Sequence, residues 1–70
     1  MELSVDQALR QGVAAQKAGK LKDAERLYRA ILQVEPKHPE ANHNLGVMAV
    51  AAGKALEAIP RFKLAFEVNP

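Results

Sequence analysis

Few side chains in this 70-residue sequence have the types and spacing that chemistry requires. Ser4 is the single serine, and threonine and cysteine are absent. Thiolate nucleophiles, disulfides and thiolate zinc sites are therefore excluded together. His38 and His43 stand five residues apart across an expected helix start, with Glu40 between them. Two ligands on one helix face need the i, i+4 spacing, so these residues do not form a metal set. The carboxylate pairs Asp23/Glu25 and Glu35/Glu40 have no nucleophile or pocket to serve. Gly12 and Gly19 are isolated and make no phosphate-cradling loop. No enzyme activity, metal or cofactor is expected from these residues. They suit recognition.

Charge narrows the partner. Ten Lys and Arg against eight Asp and Glu leave a net charge of +2, without a basic run. The cluster Lys17, Lys20, Lys22, Arg26 and Arg29 is interrupted by Asp23 and Glu25 and reads as a solvated helix face. Nucleic-acid binding would want a dense basic stripe with stacking aromatics, and none is present. No apolar run approaches the roughly 20 residues of a membrane helix. Met1-Glu2-Leu3 lacks the basic and apolar regions of a signal peptide, so a cytoplasmic chain without a membrane partner is expected.

What positions these residues is a repeat. Offsetting the chain by 34 pairs Gly12 with Gly46, Gly19 with Gly53, Ala24 with Ala58 and Pro36 with Pro70. Nine of the 32 aligned positions are identical, and Tyr28 with Phe62 keeps its aromatic character. Thirteen alanines, no threonine and few β-branched residues make the chain all-α. Each unit reads as two helices. Ser4 with Gln7 is a capping-box pattern that starts the first helix at Val5, and Gly19 is placed to end it. The second helix buries Leu27, Tyr28, Ile31, Leu32 and Val34, and Pro36 closes it. Pro39 suits the first position of the third helix, and Gly53 stops that helix. After a lead over 1–4, the first unit is expected over 5–38, with helices 5–18 and 22–35. The second is expected over 39–70, with helices 39–52 and 54–68. Mid-helix Gly12 and Gly46 would meet Ala24 and Ala58 of the partner helices, while Pro60 should kink the last helix.

A 34-residue helix–turn–helix unit with Leu45-Gly46, a turn glycine, Ala58 four residues before Phe62 and a closing Pro70 resembles the tetratricopeptide repeat. The resemblance covers residues 5 to 70, and the second copy matches better than the first. Gln11 replaces the usual leucine, and Ala8 and Asn42 stand where an aromatic residue is common, which thins the core.

The resemblance implies a short right-handed α-solenoid of four antiparallel helices. It also implies that the first helices of the units line a concave surface that binds partners. Mapped by repeat position, that surface carries Leu9, Arg10, Val13 and Gln16, then His43, Asn44, Val47 and Val50. Such an apolar strip with polar borders suits an extended or helical peptide. Asn44 is similar to the asparagines with which some members of the family grip a peptide backbone. Its amide offers both a donor and an acceptor. Arg10 holds the equivalent place in the first copy, so a ladder of such amides does not begin there. Leu9 and Val13 stand where the carboxylate clamp of chaperone-binding members would need lysine and asparagine.

Two repeats are fewer than the three or more such stacks usually need. Phe62, Ala65 and Phe66 are therefore expected to form an exposed edge for self-association or for further repeats. The functional expectation is a protein–protein interaction module, or the N-terminal part of a longer scaffold. The alternatives are the front end of a bacterial glycosyl-, sulfo- or methyltransferase that recruits substrate, and a small self-associating adaptor or spacer.

Overall fold

The computed structural model of the chain describes residues 3–53 and 55–68, with side chains for residues 3–53 and 59–65. Four helices run in order: α1 (Val5–Lys17), α2 (Leu21–Val34), α3 (Pro39–Ala51) and α4 (Ala55–Val68). No strand occurs among the described residues. α1 packs on α2 and α3 on α4, while α2 and α3 join the two hairpins into one stack. The fold is all-α and repeat-like.

Local chemistry sets the helix ends. The Ser4 hydroxyl accepts from Gln7 N at 3.1 Å, and Gln7 Oε1 accepts from Ser4 N at 3.0 Å. This reciprocal pair covers two backbone donors that the first turn would otherwise leave without partners. α1 ends at Gly19, whose φ of +78° is open to glycine at little cost. Gly19 N donates to Gln16 O at 3.1 Å and Lys20 N to Ala15 O at 2.8 Å, which is the Schellman arrangement. Gly53 repeats the same φ after α3. Ala18 and Ala52, expected as last helical residues, are instead the C-caps. α4 continues through Pro60 to Val68.

The core consists of Ala8, Ala24, Tyr28, Ile31, Ala41 and Leu45, drawn from α1, α2 and α3. α2 is strongly amphipathic, whereas α3 is apolar on most sides.

One expectation is corrected. Val34, expected on the buried face of α2, is 68% exposed. It is the last residue of the helix, where the chain turns away through Pro36. At both mid-helix glycines the nearest side-chain atoms belong to an aromatic ring of the partner helix. A Cβ at Gly12 would lie 2.5 Å from Cε1 of Tyr28, and one at Gly46 would lie 2.7 Å from Cε1 of Phe62. The small residue therefore makes room for an aromatic ring, since a ring laid flat against a helix needs the volume that a side chain there would take.

Candidate functional site

The site begins with Tyr28. Its ring is held between α1 and α2 by the missing side chain at Gly12, and the residue is fully buried. A buried phenol needs a partner for its hydroxyl. Tyr28 Oη donates to Gln16 Oε1 of α1 at 2.8 Å. Burial pushes the Tyr28 phenol above its usual range, and the neighbouring Asn44 amide of α3 partly offsets this. Gln16 holds the direct bond, and Asn44 stands beside it. Three helices thus bring two amides and one hydroxyl to a single place.

Around this polar centre the expected groove residues divide. Leu9 is half-buried against the core, and Val13 is half-buried on the same helix. Val47 and Val50 of α3 are 41% and 51% exposed and leave apolar surface open to solvent. Leu9, Val13 and Gln16 succeed one another at helical spacing on α1, as Asn44 and Val47 do on α3. Arg10 is exposed and paired with Asp6 on its own helix. That hydrogen bond first, and then the carboxylate charge, raise its already high pKa. Its guanidinium is thus engaged within α1. His43 is exposed and tilts against the Phe62 ring, with centroids 5.5 Å apart. That contact ties it to α4.

The expected edge changes in part. Phe62 lies against Gly46 and His43, so it belongs first to the α3–α4 contact, and it stays half-exposed. Ala65 is half-exposed. The Phe66 side chain lies outside the described residues, as do those of Ala58 and residues 1 and 2.

Sequence reasoning missed two polar residues. Asn42, read only as a departure that thins the core, is fully buried. Its Nδ2 donates to Pro36 O at 3.1 Å and to His38 O at 3.0 Å, tying the inter-hairpin turn to α3. Its Oδ1 accepts from Arg61 Nη1 of α4 at 3.5 Å. The signal was present: a polar residue at the position of buried Ala8 needs a partner to stay inside. His38 caps α3, its Nδ1 accepting from Ala41 N at 3.1 Å. Among the described residues no three or more His, Cys, Asp or Glu gather as a metal group. No helix there is long and apolar enough to cross a membrane.

The fold and this arrangement define the class as an all-α protein of two stacked helical hairpins. Comparison with known protein families, curated proteins and solved structures finds no match.

Proposed function

We propose that this chain is a tetratricopeptide-like protein-interaction module that takes a peptide segment of a partner across α1 and α3. The observation that carries the reading is the convergence of Gln16, Tyr28 and Asn44 beside the exposed valines of α3. Amides offer donors and acceptors to a peptide unit whatever its sequence, and Val47 and Val50 offer apolar anchorage to its side chains. The support comes from surface chemistry: a chain with one serine and no cysteine or threonine is equipped to hold a partner and to leave the reaction elsewhere. A cytoplasmic setting accompanies this reading, since the helices rely on packing and caps and need no disulfide.

The test is selection from a displayed random peptide library on the wild-type chain, with Val47→Glu and Asn44→Ala then compared against it. Both are surface or half-buried sites, so circular dichroism should show retained helix in each variant. Selected peptides should lose most of their binding to both variants. Undiminished binding to both would place recognition elsewhere and sink the reading.

A further inference from the structure

The 34-residue offset places His38 on Ser4, and each of the two residues caps a helix. The Ser4 hydroxyl accepts from Gln7 N at 3.1 Å, and His38 Nδ1 accepts from Ala41 N at the same distance. In each unit the cap thus meets the backbone donor three residues on. The two acceptors differ in one respect. A hydroxyl oxygen keeps its lone pairs at any pH near neutral, whereas an imidazole nitrogen accepts only while it carries no proton.

The second unit leans on its cap more than the first. Gln7 returns a bond to Ser4 N, but the equivalent Ala41 has no polar side chain, and His38 N donates to Glu35 O at 3.0 Å instead. Pro39 has no N–H, so Glu40 N and Ala41 N are the donors that the start of α3 leaves to be satisfied before Asn42 N reaches His38 O at 3.1 Å. The His38 carbonyl also accepts from Nδ2 of buried Asn42 at 3.0 Å. His38 is therefore the residue at which the inter-hairpin turn is fastened to α3, and α3 packs on both α2 and α4.

We infer that His38 is a proton-sensitive cap, whose protonation at Nδ1 releases the start of α3 and loosens the joint between the hairpins. The capping tautomer holds its proton on Nε2. A second proton, on Nδ1, turns the acceptor into a donor facing the Ala41 N–H and sets a positive charge at the positive end of the helix. Four charged groups surround it among the described residues. Glu35, at the end of α2, and Lys37 line one hollow with His38, and Glu40 lies in the first turn of α3. Arg61 of α4 donates to Oδ1 of the same Asn42 that holds the His38 carbonyl. The two carboxylates favour the imidazolium and the two cations oppose it, while the loss of the acceptor counts against it alone. An unfolded chain takes up the proton without losing a bond. Stability therefore falls as pH falls through the imidazole range, between about pH 8 and pH 5. This device does not rest on the peptide-binding reading.

Thermal unfolding of the full chain at about pH 8 and about pH 5.5, followed by circular dichroism, tests it against His38→Asn. Asparagine caps with an amide oxygen that does not titrate. At the higher pH the two proteins should melt within a few degrees of each other. At the lower pH the wild type should lose about 4 °C more than His38→Asn. His43→Asn, which removes the other imidazole, should keep that loss. Equal pH dependence of the wild type and His38→Asn would overturn the inference, as would disappearance of the loss in His43→Asn.

Discussion

Tyr28 and Phe62 occupy the same place in two copies of one unit, and their surroundings differ. Each ring lies on a glycine of the preceding helix, Gly12 or Gly46. Tyr28 also has α3 beyond it and is fully buried, whereas Phe62 is half-exposed. The pairing within a hairpin is thus set by the unit itself, and the degree of burial by whether another helix packs on its far side. A repeat stack is held by neighbour contacts, so one sequence motif carries different energies at different places along it.

The largest expected test of that difference is truncation of the two rings. Tyr28→Ala should cost about 3–5 kcal/mol, and Phe62→Ala clearly less, since part of its surface already faces water. Chemical denaturation of both variants measures this, and equal losses would erase the distinction between the units. Asn42→Ala comes next, at about 1–3 kcal/mol, because Pro36 O and His38 O lose a buried donor. The equivalent Ala8 is fully buried, so Ala8→Asn should be harmful as well, by burying an amide without a designed partner. If Ala8→Asn were neutral, the polar tie at Asn42 would not be peculiar to the inter-hairpin turn.

The glycines sharpen the contrast further. Alanine at either position gains about 1 kcal/mol of helix propensity. At Gly12 the methyl group meets a buried ring that has no room to move, and overpacking of about 1–3 kcal/mol should outweigh the gain. At Gly46 the half-exposed Phe62 ring can yield, so Gly46→Ala should fall near zero. Equal thermal midpoints for the two variants would contradict this reading of the rings.

The smallest effect is in titration. Tyr28 is the only tyrosine and there is no tryptophan, so tyrosinate absorbance reports one group. Its pKa is raised above the ordinary value of about 10 by burial, and the Asn44 side chain partly offsets this. A raised folded-state pKa means the native state holds the proton more tightly. The associated stability is complete below pH 10 or so and is lost as pH rises through the folded value. Asn44→Ala should move the titration to still higher pH; a downward move would show that Asn44 does not favour the phenolate.

Much of this was legible in the residues. The repeat, the helix starts at Val5 and Pro39, and the stops at Gly19 and Gly53 rest on neighbours in sequence, where capping and φ preferences act alone. Asn42 was not legible as a buried tie, because its partners Pro36 O and His38 O become acceptors only once the turn closes over α3. The same holds for Gln16: its amide looks like a groove lining until Tyr28 is buried and requires an acceptor. His43 reads as groove-facing in the sequence, and the ring of Phe62 draws it toward α4.

The sequence by itself determined four helices in two units, the capping box of α1, the glycine stops of α1 and α3, and a surface poor in nucleophiles, since these depend on local backbone preference and composition. Only the tertiary structure decided which equivalent residues are covered. Burial belongs to pairs of elements, and α2 has α3 against it. α4 presents Ile59, Phe62 and Ala65 at the end of the stack, and no local pattern within α4 distinguishes a covered face from an open one.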